Sequence, residues 1–179
     1  AVLGSFPKEF LALPREVLVT TLRHHQKSFS TETDEGLSNR FLVVADTDRD
    51  AEGHIRKGNE WVVVGRLEDA RFFWQEDRKV PFAQRREKIE HVTFHAKAGS
   101  YAAKSGRVER IAAGLAELVG ARAKGGEPTP SLEALRHAAA YAKCDLTTGL
   151  VGEFPELQGI AGGLYLRAET EAGVGHPAG

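Results

Sequence analysis

Few residues in this chain have the type and spacing to do chemistry. The 179 residues include seven histidines and one cysteine. His24 and His25 are adjacent, and adjacent helical residues point about 100° apart, so they do not easily chelate one ion. His91 and His95 stand at i, i+4, which puts two imidazoles on one face of a helix. No HExxH glutamate accompanies them, and we read them as surface or interhelix histidines. Cys144 is alone, which excludes an internal disulfide and a thiolate-rich zinc site. It sits among alanines, where a small buried apolar role is its default. Asp145, Glu153 and Glu156 gather around Phe154 and Pro155 and have the chemistry for acid–base work. Carboxylates so placed more often cap helix starts and pair with nearby cations. No GxSxG turn, Walker lysine loop or GxGxxG fingerprint occurs, so no nucleotide cradle is expected.

Composition narrows the class. Hydrophobic residues make up 41% and charged residues 27% of the chain, as in soluble globular domains. The length predicts one large domain or two small ones. No apolar run approaches the roughly 18 residues that cross a bilayer. The N-terminus AVLGSFPKEFLALP has neither the basic start nor the apolar centre of a signal peptide. With one cysteine, a reducing cytoplasmic setting is expected. The absence of methionine and the ending GHPAG lead us to expect a piece of a longer protein.

The net charge is −1, but it is unevenly spread. Arg78 to Arg110 holds nine Lys/Arg against three Asp/Glu, whereas residues 1–77 hold ten against fourteen. A basic stretch in a neutral chain marks either a phosphate-facing surface or a solvated helix face. Within it, Lys104, Arg107 and Arg110 recur every three residues and drift slowly around one side of a helix. Arg85, Arg86 and Lys88 cannot all share a face, and Lys97 lies between the two groups.

The elements that must position these residues follow from periodicity. Pro14 opens a helix over about 14–25, with Val17, Leu18 and Leu22 as its apolar stripe. Residues 26–31 and 40–45 read as an antiparallel strand pair joined by the loop TETDEGLSN. Val63, Leu67, Ala70 and Trp74 predict a helix over about 60–77, with Asn59 as its cap and Phe73 and Trp74 buried. Arg66 and Asp69 at i, i+3 suit an ion pair. Beyond about residue 80 the pattern is all-helical. A helix runs from Pro81 through Val92, and Val108, Ile111, Leu115, Leu118 and Val119 form an amphipathic stripe. The segment Gly120–Pro130 reads as a loop, and Thr129-Pro130 caps a helix carrying Leu132, Leu135, Ala139 and Ala142. A last helix spans about 155–170. The expected class is α+β, with a small mixed α/β part over 1–80 and an all-helical part over 81–179.

Five segments together carry a family resemblance. They are FLALPREVLVTTLRHHQKSF (10–29), FLVVAD (41–46), KGNEWVVVGRLEDARFFWQEDRK (57–79), VTFHAKAGSYAAKSGRVERI (92–111) and YAKCDLTTGLVGEFPELQGIAGGLY (141–165). In this order they resemble the LPxEV…HQK, GNE…RLxDARFF, FxxKLGTxxDKxxRI and KADLxTxMVxEFxELQG blocks of the bacterial glycyl-tRNA synthetase β subunit. The resemblance covers nearly the whole chain. It departs at Ala98, Ser100 and Ala103, where the family pattern has Leu, Thr and Asp, at HQKSF for HQKYF, and at Leu150 for the family Met.

The resemblance implies a share in joining glycine to its tRNA. In that family ATP and magnesium are used by a separate α subunit, so this chain is expected to bind no cofactor, to be non-catalytic alone, and to supply tRNA contacts and architecture. An assembly of two α and two β subunits in the cytoplasm is implied. The N-terminal part resembles an editing-type domain, and the C-terminal part an HD-like helical domain. The matched blocks make His25, Gln26, Lys27, Asn59, Glu60, Arg66, Asp69, Lys143, Asp145, Glu153, Glu156 and Gln158 family-motif residues without an assigned role. A working HD phosphohydrolase needs an adjacent His-Asp pair for its metal. If Asp145 stands for that Asp, its neighbour is Cys144, so the fold is expected without the hydrolysis and without a metal. The rival readings are an HD-type metal-dependent phosphohydrolase and a scaffold that holds the α subunit without touching RNA.

Overall fold

A computed structural model of the chain describes residues 1–47, 49–120 and 131–173. The chain divides into two compact units. The first comprises Ala1–Lys79 and Gly149–Ile160, the second Val80–Thr148 and residues from Ala161 onward.

In the first unit, β1 (Val2–Ser5), β2 (Phe29–Thr33) and β3 (Gly36–Val43) form an antiparallel sheet in the order β1-β3-β2. The expected loop TETDEGLSN is mostly strand, because β2 and β3 pair down to Thr33 opposite Gly36 and only two residues turn between them. Gly36, at φ 113°, supplies the backbone that a side chain resists. Strand β1 was hidden in the sequence because glycine and serine interrupt its pattern. Its Gly4 pairs with Phe41, whose ring occupies the space that a Cβ on Gly4 would take, with Cζ 2.4 Å from it. Phe41 is wholly buried.

Pro14 precedes α1 (Arg15–Thr20), which passes into a π turn over Thr21–His25. The wider turn places Leu22 in the core and ends at Lys27, whose φ of 50° is left-handed. The long α2 (His54–Asp77) begins six residues before the expected Glu60. Its cap is Asp50, not Asn59: the Asp50 carboxylate accepts the Ile55 and Arg56 amides at 3.1 and 2.9 Å. Those amides hold the Asp50 carboxyl below its usual range. Asn59 instead donates to the Ile55 carbonyl within the helix.

Helix α2 buries Val63, Leu67, Ala70, Trp74 and Asp77. Their 4-3-4-3 spacing is one seam along the helix. Phe73, expected in the core, lies beside that seam and is half-buried. Against α2 packs the returning segment, α6 (Gly149–Glu153) and a 3₁₀ turn over Pro155–Leu157. It buries Leu150, Val151, Phe154 and Leu157. The last helix expected from 155 is thus only this short turn, and a helix resumes at Ala161 because Gly159, at φ 85°, breaks the run.

The second unit is not all-helical. The stretch after Pro81 is two 3₁₀ turns, Phe82–Gln84 and Ile89–His91, flanking the single turn α3 (Arg85–Lys88). A hairpin follows, β4 (Thr93–His95) with β5 (Gly99–Ser100). Its turn is closed at Gly99, where φ is 84°. Ser100 then caps α4 (Tyr101–Gly120) by accepting the Ala103 amide. Helix α5 (Leu132–Tyr141) is capped by Ser131 and packs along α4. The expected Thr129-Pro130 cap and most of the Gly120–Pro130 loop lie outside the described residues. A 3₁₀ turn over Cys144–Thr147 and α7 (Ala161–Glu171) complete the unit. Its core is Phe82, Ile89, Ala139, Ala140, Cys144, Leu164 and Tyr165. Phe82 stacks on Tyr165 with ring centroids 5.9 Å apart.

Gly4→Ala is expected to destabilise the first unit by about 1–3 kcal/mol, because the added methyl must displace a packed ring. Urea unfolding followed by tryptophan fluorescence measures it, and a midpoint equal to that of the parent would contradict the close approach.

Candidate nucleic-acid interface

The family-motif residues of the first unit act mainly as fasteners. Glu60 accepts both the backbone amide and the hydroxyl of Ser5 through one oxygen, at 2.9 and 3.1 Å, and so ties β1 to α2. Arg66 reaches Asp69 at 3.7 Å, as its spacing implies, but lies closer to Glu153 at 2.7 Å. His25 sets its ring edge against buried Phe154, with centroids 4.9 Å apart, and its Nε2 is 3.6 Å from Glu156. The Glu156 carboxyl is held below its usual range by its own backbone N–H and by His25 and His24. Gln26 gives its carbonyl to the Ser28 hydroxyl. Lys27 and Gln158 are exposed.

One fastener is absent from the motif set. Asp77 accepts the amides of Gly149 and Leu150 through its two oxygens, both at 2.9 Å. These are the first two amides of α6, which have no partner inside their own helix. The signal was present in the sequence: Asp77 falls on the seam of Val63, Leu67, Ala70 and Trp74, and a carboxylate at a core position needs donors.

In the second unit Asp145 is buried at 1% exposure, and its carbonyl accepts the Thr148 amide and hydroxyl. Lys143 is half-buried. Cys144 is wholly buried, and burial, with Asp145 beside it, pushes its thiol up to about 11. A neutral thiol is a poor metal ligand. Among the described residues no three His, Cys, Asp or Glu side chains gather as a metal would require. His91 lies in a 3₁₀ turn and His95 in a strand, so they do not share a helix face. The residues around Asp145 therefore do not fit the metal of an HD hydrolase.

The basic residues separate by exposure. Arg85 is a correction to the expected surface set: it is only 4% exposed, and its guanidinium donates to the Thr147 carbonyl at 2.8 Å. It packs from α3 into the core, where a phosphate cannot reach it. Arg86, Lys88, Lys97 and Arg110 are exposed, and Lys104 and Arg107 are half-buried. The hairpin adds what charge spacing did not reveal. Lys104 sets its ammonium over the Phe94 ring, 3.8 Å from the centroid, and 5.7 Å from that of Tyr101. Phe94 and Tyr101 meet edge to face at 5.3 Å, and Phe94 remains 39% exposed. The hairpin and the first turn of α4 thus present an aromatic pair with Lys104 on it, in a stretch that also carries Lys97, Arg107 and Arg110. Cations with an exposed aromatic face are the chemistry that meets a phosphate backbone and an unstacked base. Among the described residues no helix is long and apolar enough to cross a membrane.

The motif residues thus fasten elements within the first unit, and the second unit carries cations and an exposed aromatic pair. Residues 1–174 match the family described as glycyl-tRNA synthetase beta subunit, and the chain belongs to that family. It is 47% identical over 173 residues to the glycine–tRNA ligase beta subunit of Acidobacterium capsulatum, covering 95% of this chain and 24% of that protein. It is 47% identical over 171 residues to the same subunit of Phenylobacterium zucineum, covering 94% and 25%. With that of Magnetococcus marinus it shares 42% over 171 residues, covering 94% and 23%. The chain spans about a quarter of the length of the curated relatives it matches.

Asp77→Ala is expected to cost about 2–3 kcal/mol, since it leaves two buried amides without their charged acceptor. Asp77→Asn retains one acceptor oxygen and should cost less. Chemical denaturation of the three proteins gives the order, and equal stability of Asp77→Ala and the parent would show that the amides find other partners.

Proposed function

We propose that the chain contributes tRNA contacts and architecture to the ATP-dependent attachment of glycine to its tRNA, as part of a β subunit working with an α subunit. The observation that supports this most is the hairpin edge, where Lys104 rests on Phe94 and the α4 cations continue from it. Lys104, Arg107, Arg110 and Lys97 meet the backbone in this reading, and Arg86 and Lys88 are secondary. In this reading ATP and magnesium are handled by the α subunit, as the family resemblance implies. The first unit takes the place of the editing-type part, and the second is HD-like in fold without metal chemistry. The assembly is a cytoplasmic hetero-oligomer of two α and two β subunits. The scaffold reading differs in one respect only: these cations would then touch no RNA.

The test is tRNA binding by the whole α–β enzyme over a salt series, comparing the parent with Lys104→Ala/Arg107→Ala. Each lost phosphate contact lowers the log–log salt slope by roughly one unit and weakens binding largely independently of sequence. An unchanged affinity and slope would favour the scaffold. Separately, the isolated chain is expected to form no glycyl-adenylate. ATP–pyrophosphate exchange above a blank would overturn that division of labour.

A further inference from the structure

Helix α4 carries an apolar stripe that no described residue of its own unit covers. Val108, Ile111, Leu115 and Leu118 follow a 3-4-3 spacing, the a and d positions of a helix–helix seam. They are 40%, 62%, 55% and 60% exposed, and Val119 beside them is 56% exposed. The contact with α5 is made elsewhere: Ser105 is buried and Ala112 and Ala116 are half-buried, at i, i+7 and i+11 on another face. Gly114 lies between Ile111 and Leu118 on the exposed face, and a Cβ built on it would meet nothing within 4 Å. A glycine inside a helix is less favourable than alanine, and no contact among the described residues of the second unit requires it here. Its use is close approach of another backbone. An aliphatic seam with a glycine in it is shaped to receive a helix.

We propose that this face of α4 docks an amphipathic helix supplied by the β-subunit polypeptide outside the stretch matched here. The curated relatives hold roughly three quarters of their length outside that stretch, so the source is at hand. A second copy of this chain is the poorer occupant for two reasons. The exposed stripe offers on the order of 500 Å² of apolar area, no more than the apolar share of the about 800 Å² per partner that separate molecules bury in a stable complex. A segment on the same polypeptide needs less, because tethering supplies an effective concentration near millimolar. Moreover, the positions flanking the seam are Arg107, Ala112, Gly114 and Val119, and a single cation among them sets no register for self-pairing. The inference rests on family membership, and although Arg107 flanks the seam and also belongs to the RNA reading, the test below contains no RNA.

Thiol accessibility tests it, because the native Cys144 is buried with its thiol pushed up to about 11 and stays silent in the folded chain. Leu115→Cys, Leu118→Cys and the off-seam control Glu117→Cys are placed in the 179-residue chain and in a full-length β subunit carrying this stretch. Maleimide labelling is read by peptide mass, and sedimentation velocity gives the oligomeric state. The expected result is rapid labelling of all three in a monomeric short chain. In the full-length subunit the two seam positions should label at least ten-fold more slowly while Glu117→Cys is unchanged. Equal seam labelling in both proteins overturns the proposal. Seam protection in a short chain that sediments as a dimer overturns it in favour of a second copy. If the grafted subunit fails to fold, hydrogen exchange over the stretch matching 108–119 in the unmodified Acidobacterium capsulatum subunit decides. Amides at least ten-fold slower there than in the short chain support docking, and equal rates overturn it.

Discussion

The two oxygens of Asp77 hold the first two amides of α6, and the first unit depends on that grip. A carboxylate at the end of an apolar seam is costly unless donors meet it. A helix start is equally short of acceptors. Each need answers the other across 72 residues of sequence, and the answer fixes where the chain must return. Once Gly149 is fixed, Leu150, Val151, Phe154 and Leu157 enter the core beside Val63, Leu67, Ala70 and Trp74. Gly149 itself must be small, since a Cβ there would lie 2.5 Å from the Phe73 ring. Helix α2 alone could bury only a narrow stripe, so the returning segment supplies the apolar cover that the small sheet cannot.

The same logic explains what several motif side chains hold. Glu60 spends its oxygen on the Ser5 amide and hydroxyl, Arg66 lies against Glu153, and Asn59 bonds its own helix. Side chains held this way have part of their hydrogen-bonding capacity committed to fold contacts. His25 is the polar exception, with Nε2 unpartnered and 3.6 Å from Glu156, yet its ring is fixed against Phe154. The strained backbone at Lys27, with φ at 50°, belongs to the exit from the π turn that seats Leu22. Strain and motif membership here follow from seating a core residue and fastening elements together.

What the sequence revealed followed periodicity. The stripes of α1 and α2 were legible by their 3.6-residue spacing, whereas that of α4 faces solvent and, of the set expected for α5, only Ala139 is buried. Strand β1 was not, because Gly4 is there to admit Phe41, a contact 37 residues away in sequence. The hairpin of β4 and β5 was hidden for a related reason: its signal is Gly99 at positive φ and a Ser100 cap, both read as helix surroundings in a basic stretch. The return of 149–160 to the first unit could not be read from local pattern, because that assignment rests on Asp77 and Arg66, far upstream. Of the site, the helical cations were legible by spacing, while the aromatic pair beneath Lys104 needed the hairpin to bring Phe94 to it.

Counting charge along a chain is different from locating it on a surface. The basic stretch holds nine cations, but Arg85 is inside the second unit, where its guanidinium satisfies the Thr147 carbonyl and helps order the turn that carries Asp145. A buried guanidinium contributes to folding and releases no counterions to solvent. Lys104 is an intermediate case: it is half-buried, and its ammonium lies over the Phe94 ring. A cation held on a ring loses less side-chain freedom when it meets a phosphate than one extended into water. That pre-positioning, more than the number of positive residues, singles out the hairpin edge and the first turns of α4 from the rest of the basic stretch.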